Sequence, residues 1–233
     1  KLKGFQLDTL KEKLISIVGT QNALFGERET KSYRTGIRGG CGEAVAVVLP
    51  KDLLQFWEII KLCVSLEKII LIQAANTGLT GGSTPDGDKY DRDVVIINTL
   101  KLDKLLLVNK GKQVLAFPGA SLYKLEEMLD PLDREPHSVI GSSCIGASIV
   151  GGVCNNSGGN LIKRGPAYTE LSLYAQLNSD GKLELINHLG IDLGESPEEI
   201  LRNLQDSNFN LDNIPSTEKK ASDNTYKDRI RNF

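Results

Sequence analysis

The stretch Gln73-Ala74-Ala75-Asn76-Thr77-Gly78-Leu79-Thr80-Gly81-Gly82-Ser83 decides how this chain is read. It follows Ile69-Ile70-Leu71-Ile72, an apolar run with the length and composition of a short buried strand. After Gln73 no bulky polar side chain appears. Small residues let a backbone approach a ligand, and glycine admits the positive φ that turns successive N–H groups into one concavity. Such a concavity binds anions, phosphate above all. The hydroxyls of Thr77, Thr80 and Ser83 are further candidate donors. The same composition also suits an ordinary glycine-rich turn between two strands, and the residues alone leave both readings open.

Working outward toward the N-terminus, Leu53, Trp57, Ile60 and Val64 recur at helical spacing, so a helix capped by Asp52 is expected to run to about Leu66. That spacing makes Trp57 a core residue rather than a stacking platform. Ala44 to Leu49 is a β-branched run stopped by Pro50, a strand signal. Ser32 to Gly42, SYRTGIRGGCG, reads as irregular. Leu7, Leu10, Leu14, Ile17 and Val18 mark an amphipathic helix that Gly19 can stop.

Toward the C-terminus, Thr84 to Asp88 is turn chemistry, and Val94 to Asn98 is the next strand. Leu105–Val108 and Val114–Phe117 flank Gly111 as a hairpin, and Ser121 can cap a helix over Leu122–Leu129. A second tract of small residues then runs from Gly141 to Asn160, GSSCIGASIVGGVCNNSGGN. Ala147 to Val153 within it suits one or two helical turns, whose N-terminus would add a positive dipole end. Glu170–Asn178 and Leu183–Ile186 surround Ser179-Asp180-Gly181-Lys182, a hairpin signal. Ser196-Pro197-Glu198-Glu199 is a capping box opening a helix to about Leu204. Short strands alternating with helices, then hairpins, predict an α+β fold with mixed sheets.

The chain has 233 residues, of which 40% are hydrophobic and 25% charged, the balance of a globular protein with a real core. A net charge of −2 offers no general attraction to nucleic acid, so no nucleic-acid partner is expected. No apolar run approaches the ~20 residues of a membrane span. Cys41, Cys63, Cys144 and Cys154 form no CxxC pair and only His137 and His188 accompany them, so no metal site is expected. The cysteines are read as small buried apolar groups in a reducing compartment.

Two phosphate fingerprints can be tested. GxGxxG is absent from both tracts, which disfavours a Rossmann dinucleotide site. Gly146 and Gly151 have the first spacing of a P-loop, but Gly152 stands where the lysine should be. What remains is two distant tracts, each able to present backbone donors. Two such walls suit an extended ligand with a diphosphate in its middle.

KIILIQAANTGLTGGSTPDG, DRDVVIIN, REPHSVIGSSCIGASIVGGVCNNSGGN and RGPAYTELSLYAQLN resemble the quinone-dependent D-lactate dehydrogenases of bacterial respiratory chains. These are flavoproteins related to vanillyl-alcohol oxidase and p-cresol methylhydroxylase. The resemblance implies the α+β FAD-binding domain of that type, two subdomains flanking FAD, over residues 1–205 with a split near 105. Residues 206–233 would be a polar loop or tail leading to a substrate-capping domain absent from this chain. The relatives are about twice as long, so a fragment is expected. The resemblance implies non-covalent FAD held by Ala74, Ala75, Asn76, Thr77, Gly78, Gly82 and Ser83, and by Gly141, Ser148 and Gly158 of the second tract. It implies D-lactate and a quinone as partners of the full-length enzyme, and a peripheral place on the cytoplasmic face of the bacterial inner membrane through segments missing here. No catalytic residue is assigned. Another flavin-dependent 2-hydroxy acid dehydrogenase or oxidase, or a non-catalytic FAD-binding module, is the alternative.

His137 could act as general base or covalent flavin anchor, and a structural role is the favoured reading. Buried apolar roles are likewise favoured over redox roles for Cys144 and Cys154. Arg164 is left open between a phosphate contact and a solvent-facing position.

Overall fold

The computed structural model describes residues 2–136, 143–158, 169 and 171–210. The chain divides into two compact units, residues 1–102 and 103–233.

The first unit holds α1 (Leu2–Val18), β1 (Ala23–Leu24), α2 (Glu27–Arg34), β2 (Ala46–Val48), α3 (Leu53–Ser65), β3 (Ile69–Gln73) and β4 (Val94–Asn98). Its sheet has the order β1-β2-β4-β3, with β2 and β3 parallel to β4 and β1 antiparallel to β2. All five residues of β4 are buried, as expected of a central strand covered on both faces. The period-2 alternation sorts them. Val95 and Ile97 pack with Leu10, Leu14, Ile59, Leu62 and Cys63, while Val94 and Ile96 pack with Val47, Tyr33, Leu71 and Tyr90. Trp57 is 4% exposed, the core position its spacing predicts. Asp52 caps α3, its carboxylate accepting from the Gln55 N–H at 2.8 Å. Gly19, at φ 81°, ends α1.

The expected irregular segment from Ser32 is corrected at its start: Ser32, Tyr33 and Arg34 complete α2. Its sequence ERETKSYR carries no apolar stripe, so periodicity is silent. Polar anchors hold it instead. The Thr30 hydroxyl, buried, donates to the Gly26 carbonyl at 2.9 Å. The Arg34 guanidinium donates to the carbonyls of Gly42 at 3.0 Å and Glu27 at 3.2 Å.

The second unit begins with the antiparallel hairpin β5 (Leu105–Val108) and β6 (Gln113–Ala116), turning through Gly111 at φ 75°. Then come α4 (Leu122–Leu129), α5 (Ile149–Cys154), the hairpin β7 (Leu173–Leu177) and β8 (Leu183–Asn187), and α6 (Pro197–Asp206). Leu105, Ala120, Leu122, Leu125, Leu129 and Ala147 form a core among β5, α4 and the approach to α5. Ser196 caps α6 by accepting from the Glu199 N–H at 3.2 Å. The return arm of the expected capping box shifts by one residue, since the Glu199 carboxylate accepts from the Glu195 N–H, not from Ser196. The expected tail lies outside the described residues from 211 onward. Among the described residues no helix is long and apolar enough to cross a membrane.

The cysteine expectation holds for one of four. Cys63 is fully buried in the α1–α3 core, where burial pushes its thiol up to about 12 against a smaller opposing pull from Lys68. Cys41, Cys144 and Cys154 are exposed: Cys41 follows the Gly39-Gly40 turn, Cys144 lies in the short turn Ser143–Ile145, and Cys154 is the last residue of α5.

Candidate functional site: a glycine loop clamped by buried amides

β3 delivers the first tract at the C-terminal end of the parallel strands β2, β4 and β3, the end where open α/β sheets bind ligands. Gln73, its last residue, is 1% exposed. Its amide nitrogen donates to the Tyr33 and Ser83 carbonyls, both at 2.8 Å. Its amide oxygen accepts from Asn98 at 3.2 Å, its register partner on β4. Asn98 also donates to the Ala74 carbonyl at 3.0 Å. Both ends of the loop are thereby tied to one pair of buried side chains.

Asn76 adds a second tie. It sits at φ 56°, a left-handed conformation that asparagine tolerates. Its amide oxygen accepts from the Ser83 and Thr84 hydroxyls, each at 2.8 Å, and its amide nitrogen donates to the Thr35 carbonyl at 3.0 Å. The structure therefore brings Asn76 and Ser83 together, and their side chains serve the loop's own shape. Ala74, Ala75 and Thr77 are half-buried beside them.

Gly78 to Gly82 form the exposed crest, with Leu79 82% exposed. Neither Gly78 nor Gly82 has a positive φ. A Cβ at Gly78 would meet nothing within 4 Å, and one at Gly82 only the Thr80 hydroxyl at 3.9 Å. Neither backbone conformation nor packing requires glycine there, which leaves the main chain open to close approach by a ligand. The glycines of the preceding arm differ. A Cβ on Gly36 would lie 2.5 Å from the Gly39 carbonyl oxygen, and one on Gly42 2.6 Å from the Pro85 carbonyl. That arm is pressed against residues 83–87 and backs the loop. Gly36, Gly39, Gly40 and Gly42 are a glycine cluster in their own right, the one signal in the sequence for this arm, which reads there only as irregular.

In the second unit, the described part of the second tract is the start and exit of α5. The Ser148 hydroxyl, in a residue only 4% exposed, accepts from the Gly151 N–H at 3.0 Å and so caps the helix. Ser148 bridges Ser121, the cap of α4, through Leu122 N–H to Ala147 O and Ile149 N–H to Ala120 O, both 2.9 Å. Two helix starts thus lie side by side. Gly158 is half-buried after the α5 exit. Gly141, His137 and Arg164 lie outside the described residues.

The family model described as FAD binding domain matches residues 44–185. The chain belongs to this FAD binding domain family. It is 59% identical over 221 residues, 95% of its length, to the quinone-dependent D-lactate dehydrogenase of Escherichia coli (strain K12). It is 56% identical over 94% of its length to the enzyme of the same name from Haemophilus influenzae. The chain spans 39% of the length of each of these relatives. A solved structure of p-cresol methylhydroxylase with substrate bound shares the fold, at a TM-score of 0.57 and 16% identity, over 77% of this chain and 35% of that one. The fold is therefore the α+β FAD-binding fold of the vanillyl-alcohol oxidase and p-cresol methylhydroxylase type, and FAD is its cofactor. The residues present fit that cofactor. The loop is built of small residues, tied at its base by side-chain hydrogen bonds and exposed along its crest, so its main chain is accessible to a diphosphate.

Proposed function

We propose that this chain is the FAD-binding part of a quinone-dependent D-lactate dehydrogenase, oxidising D-lactate to pyruvate and reducing a respiratory quinone to quinol. Two electrons and two protons leave the lactate, and two of each arrive on the quinone. Bound FAD supplies the redox chemistry that side chains lack. The observation that carries this reading is the 59% identity extending over 95% of the chain.

The chain's own contribution is binding and orientation. Main-chain N–H groups around Asn76, Thr77 and Gly78, and around Gly82 and Ser83, would hold the diphosphate, with Ala74 and Ala75 beside them. Gly141, Ser148 and Gly158 contribute from the second tract. Attachment is non-covalent, and His137 is structural. The groups that hold lactate and take its protons belong, on this reading, to the remaining length of the full enzyme. A quinone acceptor is lipid-borne, so the enzyme works as a peripheral protein of the respiratory chain, on the cytoplasmic face of the bacterial inner membrane. A net charge of −2 supports the absence of a nucleic-acid partner.

The test is the visible spectrum of the full-length enzyme. D-lactate should bleach the flavin bands, and a quinone analogue should restore them; unchanged bands on adding D-lactate refute the activity. Acid precipitation should release free flavin, and a yellow pellet would refute non-covalent attachment. Gly78→Val and Gly158→Val should each abolish flavin retention in folded protein. Full flavin content in both would remove the two tracts from the site.

A further inference from the structure

We infer that Gln73, Asn98 and Thr84 are positioning residues for the cofactor: they touch no ligand and hold the 74–83 loop in its binding shape before FAD arrives. The inference rests on the FAD site proposed above. Three observations carry it.

First, polar side chains are not buried at a strand end without a use for their hydrogen bonds. Gln73 and Asn98 are 1% and 2% exposed, and they close the two adjacent apolar strands IILIQ and VVIIN. Second, the bonds they make run to the loop's two boundaries: Asn98 to the Ala74 carbonyl at the start, Gln73 to the Ser83 carbonyl at the end. Gln73 reaches also to Tyr33, so the α2 end and its glycine arm are locked to the same point. Third, Thr84, 8% exposed, donates to Asn76 across the loop and holds the one non-glycine residue of 74–83 in a left-handed conformation. The crest between these ties makes no close packing at Gly78 or Gly82. A crest of that kind is ordered only through its ends. Ordering it in advance removes an entropy cost that cofactor binding would otherwise meet.

The experiment uses the full-length enzyme stripped of flavin, with FAD as the titrant. Gln73→Met keeps the bulk and the burial but removes the side-chain hydrogen bonds to Tyr33, Ser83 and Asn98. It should raise the FAD Kd about tenfold or more. Amide hydrogen exchange in the flavin-free protein should quicken over 74–83 and not in α1 or α3. A merely structural role predicts a different result: a lower Tm of the flavin-free protein, exchange quickened throughout residues 1–102, and an unchanged FAD Kd in the fraction that stays folded. Thr84→Val is the milder second variant, near-isosteric and missing only the bond to Asn76. It should weaken FAD severalfold with Tm unchanged. Wild-type affinity in the folded variants overturns the inference while leaving the FAD site standing. Absence of FAD binding by the wild-type enzyme overturns both together.

Discussion

The two small-residue tracts look alike as sequence and are built differently. The first is a loop whose polar side chains fold back on itself: Gln73, Asn76, Ser83 and Thr84 spend their hydrogen bonds on its own ends and on the arm behind it. The second, where it is described, is a helix start, with Ser148 capping α5 and Gly151 fitted beneath that cap. Small residues leave the main chain open in one case and let a helix begin at close quarters in the other. At the start of α5 the N–H groups of Ile149, Gly151 and Gly152 are already taken, by the Ala120 carbonyl and by the hydroxyl and carbonyl of Ser148, whereas the crest of the first tract is exposed.

The sharpest way to break this comparison is through its glycines. Gly42 lies in the arm behind the first tract, where an added Cβ would stand 2.6 Å from the Pro85 carbonyl and 2.7 Å from the Gly87 nitrogen. Those are backbone atoms and cannot rotate away. Gly42→Ala should cost about 3 kcal/mol of stability, measured by urea denaturation. A wild-type midpoint would mean that the arm is not pressed against residues 83–87, and the first tract would lose its backing.

Thiols separate the two units next. Cys63 lies under the sheet that carries the first tract, and its pKa rises from 9.0 to about 12 by burial. Cys144 and Cys154 in the second tract are exposed. The unfolded chain releases the Cys63 proton first, so its contribution is intact below pH 9 and drains away as pH climbs toward 12. The slope is about 1.4 kcal/mol per pH unit within that window. Relative to Cys63→Ala, the wild-type protein should lose stability more steeply between pH 9 and 10.5. Parallel pH curves for the two proteins would show that the thiol is not buried. At neutral pH a thiol reagent should label Cys144 and Cys154 rapidly and spare Cys63.

Much of this was legible because apolar periodicity and caps are local. Asp52 and Ser121 announce their helices, and VVIIN reads as a strand from its composition; the capping of α5 by Ser148 is not announced, since the expected turns begin at Ala147. α2 was not legible, since ERETKSYR has no apolar face and depends on Thr30 and Arg34 finding distant carbonyls. The exposure of Cys144 and Cys154 was hidden for a related reason: a run of small residues does not reveal which side of a short turn or of a six-residue helix meets solvent. At the site, the loop itself could be read, and its clamp could not. Glutamine and asparagine usually mark a surface. Only the register that sets Gln73 against Asn98 shows them as a buried pair. With hindsight the signal is that two neighbouring apolar strands each end in a carboxamide.

Two smaller effects sharpen the contrast. Ser148→Ala removes the α5 cap and should lower stability by about 1 kcal/mol in a denaturant titration. A neutral result would mean that the second tract does not depend on a capped start. The smallest effect belongs to Gly78. An added methyl group there meets open space, and φ is not positive, so neither strain nor overlap opposes it. Gly78→Ala should change stability by less than about 0.5 kcal/mol. The same methyl would stand where the loop offers its main chain to FAD, so the flavin occupancy of the purified protein should fall. Stability and occupancy thus separate at Gly78, whereas at Gly42 they fall together. A Gly78→Ala protein that unfolds easily would make the crest part of the scaffold, and the glycines of the first tract would then serve the fold just as Gly151 serves its helix.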